Sequence, residues 1–143
     1  MLDTVKEEAV PTGLTASLRD AARRPWMGAF LRVVAVFYVF GGCVHYANLL
    51  GFGELSWADA PLSWKIADLV YAPLDTLVVI GLWLREPWGI VSLFVALVSQ
   101  CVLYTGFSEL FVLSAEHRDG LQSMLVFHGL TFLIFSALFI ARR

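Results

Sequence analysis

The sequence predicts an all-α fold, an integral membrane four-helix bundle in a single domain. Of the 143 residues, 59% are hydrophobic and 15% are charged, which is more apolar surface than a soluble domain of this size can bury. A helix of about 20 apolar residues crosses the roughly 30 Å hydrocarbon core of a bilayer. Four apolar runs of that length occur in the chain, at 26–50, 62–84, 88–111 and 121–141. We therefore expect a membrane domain over 26–141, preceded by a tail over 1–25.

The distribution of basic residues predicts the orientation of this domain. Lys and Arg near the ends of membrane helices concentrate on the cytoplasmic side. One side of the predicted bundle carries six, Arg19, Arg23, Arg24, Arg85, Arg142 and Arg143, and the other carries only Lys65 and Arg118. We therefore expect both termini to be cytoplasmic. The formal net charge of −2 gives no indication of nucleic acid as a partner.

The N-terminal tail has two parts. Residues 1–11 are expected to be disordered. Over 12–24, Leu14, Leu18 and Ala21 or Ala22 recur at helical spacing, which is typical of a short helix lying at the membrane interface. A loose basic tail is the alternative.

Matching marks in the two halves of the chain predict two tandem helical hairpins, 24–86 and 86–142. RRPW at 23–26 matches REPW at 85–88, and CVHY followed by GFGEL matches CVLY followed by GFSEL. The hairpins differ where the first has His45 and Asp75 and the second has Leu103 and Thr131, and where His128 replaces Ala72. These differences favour one asymmetric site between the halves.

Polar residues on all four helices mark a candidate ligand site. Counted from the cytoplasmic anchors at the helical rise, they lie at depths of about 15 to 29 Å, in the outer half of the membrane. Ionisable groups at such depths are costly unless they face the interior of the bundle. We therefore expect a pocket that opens to the outer side. Its candidate residues are His45, Asp68, Tyr71, Asp75, Gln100, Tyr104 and His128.

Each of the ionisable residues also has a structural interpretation. Asp75 could be a protonated carboxyl that joins helices by hydrogen bonds, His128 could do the same, and His45 could be solvated near the interface. Cys43 and Cys101 occupy equivalent positions and are expected to be small packing residues, although a redox role stays open.

Among cofactors, a quinone or a lipid headgroup fits this combination of polar residues best. Haem is disfavoured, because the estimated depths of His45 and His128 differ by about 8 Å. Metal binding is disfavoured, because His45, His128, Asp68 and Asp75 are acceptable ligands but no H-x₃-H or E-x-x-H pair concentrates them on one helix. No Ser-His-carboxylate spacing stands out either.

Several short segments carry a family resemblance. They are GLWLREPWG (81–89), Gln100 with Tyr104, GFSELF (106–111) and HGL (128–130). Over 26–140 the chain resembles an uncharacterised family of small four-helix bacterial inner-membrane proteins, and more distantly it is similar to DoxX-like membrane proteins. The resemblance implies the fold and a multi-pass location in the bacterial inner membrane, and it implies no activity.

Three hypotheses for the function follow. The first is a non-enzymatic accessory or assembly subunit of a larger membrane complex, with membrane lipids and other membrane subunits or further copies of this chain as its partners. The second is a ligand-binding or redox protein that holds quinone, lipid or haem in the outer pocket. The third is a small transporter, which would need dimerisation, and for which Gly41 and Gly42 could allow close helix contact.

Overall fold

The computed structural model describes residues 13–141, so the predicted disorder of 1–11 lies outside the described residues. This part of the chain is all-helical and contains no strand. The five α-helices are α1 (Leu14–Arg23), α2 (Pro25–Leu49), α3 (Leu62–Trp83), α4 (Pro87–Gly106) and α5 (Ala115–Ile140). The last four are each long and apolar enough to cross a membrane, which indicates a membrane protein. The four-helix prediction is therefore confirmed.

Helix α1 forms where the tail shows helical spacing. Leu18, Ala21 and Ala22 are buried, and α1 contacts α2 and α4. Arg24, between α1 and α2, directs its Nη1 atom at the carbonyl oxygens of Leu138 and Phe139, 3.4 Å away in both cases. Because the last carbonyls of a helix have no partner within the helix, this guanidinium fastens the end of α5 to the start of α2.

A tight turn joins α3 to α4. Arg85 has a φ of 58°, and the Glu86 amide donates a hydrogen bond to the carbonyl of Gly81 at 2.9 Å. The backbones of Gly81 and Gly89 are in direct contact, so that a Cβ atom on either glycine would meet the backbone of the other. The absence of two side chains thus allows the last turn of α3 and the first turn of α4 to lie in contact.

The helices differ from the predicted spans mainly at α4 and α5. Helix α4 ends at Gly106, and a single 3₁₀ turn follows at Ser108–Leu110. Helix α5 begins at Ala115, six residues before the predicted apolar run, because the Ser114 hydroxyl caps it by accepting the His117 amide at 3.2 Å. The first turns of α5 are charged, and apolar content alone therefore placed its start too late.

The two ends of the bundle differ in character. We call the end that carries the 50–61 and 107–114 connections the loop end, and the end that carries the 84–86 turn the turn end. A continuous apolar core fills the half nearer the turn end, around Met27, Leu31 and Leu82. A smaller cluster around Tyr71, Tyr104 and Phe111 lies nearer the loop end, where the polar residues also occur.

Helix α5 is the least covered of the four long helices. Within its most apolar stretch 17% of the residues are buried, compared with 39–44% in α2, α3 and α4. Helix α2 packs extensively along α3, whereas α4 touches α5 less. The two proposed hairpins are therefore not packed alike, and the internal repeat stays a prediction. The loose fit of α5 also leaves space beside the candidate site.

Candidate functional site

The structure buries six of the seven predicted site residues and half-buries the seventh. Asp75 is 2% exposed, although it carries an ionisable group near the centre of a membrane helix. His45 is the half-buried residue. The other five, all buried, are Asp68, Tyr71, Gln100, Tyr104 and His128. These polar groups therefore lie inside the bundle and not on its lipid-facing surface. This arrangement is expected, because exposing such groups to lipid is costly.

His45 lies between the two acidic residues of α3. Its Nδ1 atom is 2.7 Å from Oδ1 of Asp68, and its Nε2 atom is 3.9 Å from Oδ2 of Asp75. Because a carboxylate can only accept, the short contact requires Nδ1 to donate a hydrogen bond to Asp68. The Asn48 amide donates to the same carboxyl oxygen at 3.2 Å. Asp68 thus accepts two hydrogen bonds, and the Nε2 atom of His45 points towards Asp75.

Tyr71 fixes the plane of the His45 ring. The two rings are stacked with their centroids 5.8 Å apart and an interplanar angle of 29°. The Tyr71 hydroxyl donates to Oγ of Ser99 on α4 at 3.1 Å. Because Asp68, Tyr71 and Asp75 share one face of α3 at i, i+3 and i+7 spacing, one helix face supplies both hydrogen-bonding groups and the stacking surface for the imidazole.

Asp75 lies against α2 where that helix has two glycines. A Cβ on Gly41 would be 3.2 Å from Oδ2 of Asp75, and one on Gly42 would be 3.5 Å from its Cβ. The sequence suggested these glycines as a surface for contact with another copy, but they face Asp75 within the chain. Among the residues that the structure describes, Oδ1 of Asp75 is buried and has no hydrogen-bond partner. A buried polar atom without a partner costs about 1–3 kcal/mol, so it calls for an explanation.

An apolar cavity of about 640 Å³ lies next to Asp75, between α2 and α5. We call it the bilayer cavity. Its polar residues include Asp75, Gln100, Tyr104 and His45, and its apolar walls include Phe40 of α2. The cavity exists because α5 packs loosely against the other helices. Four of the seven predicted site residues therefore line one space.

A second cavity, of about 310 Å³, lies at the loop end, and we call it the vestibule. Asp68 lines the vestibule, and Asp75 lines the bilayer cavity. His45 and Tyr104 line both. The two carboxyls on the same face of α3 thus belong to different spaces, and the imidazole stands where these spaces meet.

His128 lies apart from these cavities. Its Nδ1 atom is 2.7 Å from the carbonyl oxygen of Met124, and its Nε2 atom is 3.4 Å from the hydroxyl of Tyr38. Nδ1 must donate to the carbonyl, which leaves Nε2 of a neutral ring to accept from Tyr38. Both nitrogens are engaged, as expected for a structural hydrogen-bonding role. Tyr38 itself lines the bilayer cavity, so His128 touches that cavity only through this tyrosine.

Thiol redox chemistry and metal binding were the two other possibilities raised by the sequence. Cys43 is exposed and Cys101 is half-buried, and both are free thiols. Within residues 13–141, no group of three or more His, Cys, Asp or Glu side chains is arranged to hold a metal ion.

Sequence reasoning missed the residues that close the loop end. Nε2 of His117 is 2.9 Å from a carboxylate oxygen of Glu54, and the imidazole packs edge-on against Trp64 with ring centroids 5.1 Å apart. His117 and Trp64 both line the vestibule. His117 was passed over because the predicted span of the last helix started at 121. The serine cap at Ser114 was the available signal.

A comparison with protein families adds one finding. Residues 26–143 match a family of unknown function, DUF6163. The chain belongs to this family. No curated protein and no solved structure matches the chain. Membership of DUF6163 agrees with the resemblance to an uncharacterised family, whereas the more distant DoxX-like similarity and the bacterial origin stay predictions.

The DUF6163 match begins within the first turn of α2 and includes every residue around the two cavities. It leaves out α1, which precedes it. The family therefore covers the domain that forms the candidate site. The family has no assigned function, so the geometry of that site is the evidence for what the protein does.

Proposed function

We propose that the protein is a non-enzymatic membrane protein that binds a small amphipathic molecule in the bilayer cavity. The observation that carries this proposal is the buried Oδ1 atom of Asp75, which has no hydrogen-bond partner in the described part of the chain, beside a cavity of about 640 Å³. A ligand that supplies the missing partner would remove the cost of that buried atom. Pockets of this kind, with mainly apolar walls and a few polar groups that fix orientation, are typical of small-molecule sites.

The position of the cavity supports access from the bilayer. Its walls include Phe37 and Phe40 of α2, two residues that are also 56% and 72% exposed at the surface of the bundle. On the other side of the cavity, α5 contributes Met124 and Phe127, and the Phe127 ring packs against that of Phe37 with the centroids 5.1 Å apart, so this aromatic pair borders the cavity. A molecule dissolved in the acyl chains can therefore reach Asp75 between α2 and α5 without crossing the loop end.

The polar side chains of the cavity indicate which polar functional group such a ligand would carry. Asp75, Gln100 and Tyr104 bring a carboxyl, an amide and a phenol to one cavity. Together they can donate and accept hydrogen bonds, which suits the carbonyl or hydroxyl of a quinone or the hydroxyl or ester of a lipid headgroup. Under the orientation predicted from the basic residues, this polar group of the ligand would lie in the outer half of the membrane.

Native mass spectrometry of the protein purified in mild detergent tests this proposal. We expect wild-type protein to retain a small molecule, and Asp75→Ala and Gln100→Ala to reduce its occupancy about tenfold, the effect of losing about 1.4 kcal/mol of hydrogen bonding. Ser136→Ala is the matched control, because Ser136 lies outside the cavity and its hydroxyl donates to the Phe132 carbonyl of its own helix, at 2.8 Å. Equal occupancy in all four proteins, or none in wild type, would contradict the proposal.

The accessory-subunit hypothesis has one observation in its favour, the poor coverage of α5. Only 17% of its most apolar stretch is buried within the chain, which leaves a long apolar face for another membrane protein. Co-purification in mild detergent should then yield a stoichiometric partner. A pair of Leu→Ser changes on this face, at Leu130 and Leu133, should release that partner, whereas a protein that always purifies alone would contradict this second candidate.

A further inference from the structure

The two carboxyls of the site face different spaces, and His45 touches both spaces. Asp75 lines the bilayer cavity and Asp68 lines the vestibule at the loop end. The side chain of Asp75 is 3% exposed and that of Asp68 is 8% exposed, whereas that of His45 is 16% exposed. A proton on Asp75 is therefore almost fully shielded from solvent, and the imidazole is the more accessible group beside it.

We infer that His45 passes protons between Asp75 in the bilayer cavity and Asp68 in the vestibule, which links the ligand site to proton exchange at the loop end. This inference rests on the proposed function, because Asp75 is the group that would bind the ligand. An imidazole suits this task because one ring nitrogen can accept a proton while the other releases one. The Tyr71 ring, stacked on the imidazole, holds it in the plane that faces both acids.

The transfer can be written with every proton placed. Starting from protonated Asp75 and an imidazole that carries its proton on Nδ1, Nε2 of His45 takes the Asp75 proton while Nδ1 gives its proton to Asp68. One O–H bond and one N–H bond break, and one of each forms. Asp68 then releases its proton to water in the vestibule, and exchange with water returns the imidazole proton to Nδ1.

The two separations between the imidazole and the carboxyls place different requirements on proton transfer. The 2.7 Å contact from Nδ1 to Asp68 is already a short hydrogen bond. The 3.9 Å separation between Nε2 and Asp75 exceeds one, so a small rotation of either side chain, or one bridging water, completes the path. Asn48, the second donor to Asp68, keeps that carboxyl in place while the imidazole moves.

Other titratable groups surround the path on every helix that packs against it. Of these, the two α3 carboxyls are the ones in polar contact with the imidazole. The remaining groups that line the two cavities or stack on His45 are Tyr38 on α2, Tyr71 on α3, Tyr104 on α4, and Glu116 and His117 on α5. The two carboxyls and the imidazole therefore connect the bilayer cavity to the vestibule through separations of 2.7 and 3.9 Å.

Time-resolved infrared spectroscopy of the full-length protein in lipid nanodiscs tests the inference without any ligand. The carbonyl stretch of a protonated carboxyl shifts when deuterium replaces its proton, and the band lost in Asp75→Asn identifies Asp75. Its shift after mixing into heavy water gives the rate of proton exchange. We expect His45→Gln to slow this rate by about a hundredfold, the low end of the contribution of a positioned acid–base group.

Two comparisons separate proton transfer from a structural effect. Free imidazole, which the vestibule is large enough to admit, should restore the rate in His45→Ala. His128→Gln is the matched control, since it removes a buried imidazole that lies outside both cavities, and it should leave the rate unchanged.

Three results would overturn the inference. They are equal exchange rates in wild type and His45→Gln, a slowing that imidazole does not relieve or that His128→Gln shares, and the absence of an Asp75 carboxyl band throughout a pH titration. None of them depends on ligand occupancy. Ligand retention with an unchanged exchange rate would end this inference alone, whereas an empty wild-type protein with His45-dependent exchange would end the proposed function alone.

Discussion

At the scale of single residues, Asp68 and Asp75 show how the same side chain has different roles on one helix face. Asp68 accepts hydrogen bonds from His45 at 2.7 Å and from Asn48 at 3.2 Å. Asp75 is more deeply buried, yet one of its oxygens has no partner within the described residues. A satisfied buried carboxyl stabilises the protein, and an unsatisfied one is retained at a cost that a function must explain.

This contrast predicts stability changes of opposite sign for two isosteric substitutions. Asp68→Asn should lower the free energy of unfolding by about 1.5–3 kcal/mol, because it weakens a hydrogen bond to a charged group. Asp75→Asn should raise it by about 1 kcal/mol in ligand-free protein, because it removes an ionisable group that is buried without a full set of partners. Thermal unfolding in detergent measures both. A loss of stability in Asp75→Asn as large as that in Asp68→Asn would show that Asp75 is a structural residue.

The sequence predicted most of these residues because polar groups are conspicuous in apolar helices. The sequence could not predict which of these residues would contact one another. Asp68 and Asp75 have the same chemical type and lie on the same stripe, and whether each finds a partner depends on side chains from α2. His128 illustrates the same limit, since its depth placed it with the cluster while its contacts are to Tyr38 and Met124.

At the scale of elements, the α3–α4 turn depends on two glycines in contact. A Cβ on Gly81 or Gly89 would meet the backbone of the opposite helix, which cannot move aside as a flexible side chain can. This contact sets the distance between α3 and α4, and these helices carry Asp75 and Gln100 into the bilayer cavity.

Gly81→Ala should therefore lower the free energy of unfolding by about 1–3 kcal/mol, the usual cost of overpacking. Gly129→Ala is the matched control, because a Cβ at Gly129 meets nothing within 4 Å, and alanine favours a helix over glycine by about 1 kcal/mol. Melting temperatures in detergent should fall for Gly81→Ala and hold or rise for Gly129→Ala. Identical melting temperatures for the two variants would contradict the importance of this contact.

Element boundaries show where apolar content stops being a guide. The starts of α2 and α3 agree with the predicted spans to within one residue, since Pro25 and Pro61 mark them. Helix α5 begins six residues before the predicted 121, because a serine cap and a charged first turn extend a helix beyond its apolar run. The extension brings Glu116 and His117 to the vestibule.

At the scale of the whole molecule, the asymmetric coverage of the helices shapes both cavities. Helices α2, α3 and α4 form a close-packed unit, and α5 lies against it with few buried residues, His128, Thr131 and Phe135. Arg24 fastens α5 at the turn end, and the Glu54–His117 pair holds it at the loop end. Between these two fastenings α5 leaves the opening towards the bilayer.

The predicted orientation of the molecule can be tested in a variant without native cysteines. Single cysteines are placed at Ser56, in the exposed loop end, and at Leu84, in the exposed turn between α3 and α4. In intact cells, a membrane-impermeant maleimide should label Ser56→Cys and should label Leu84→Cys only after the cells are permeabilised, because basic residues favour the cytoplasmic side. The reverse pattern of labelling would invert the side to which the vestibule opens.

The sequence by itself determined the all-helical class, the four long apolar helices and the residue types that a buried site would use. These follow from local chemistry, because run length and the cost of polar groups in lipid are properties of each segment alone. Only the tertiary structure decided that His45 lies between two acids, that one oxygen of Asp75 has no partner within residues 13–141, and that α5 packs loosely enough to leave a cavity beside α2. The reason is that these are distances between helices, and they depend on how glycine contacts, the Arg24 contacts and the Glu54–His117 hydrogen bond position the helices relative to one another.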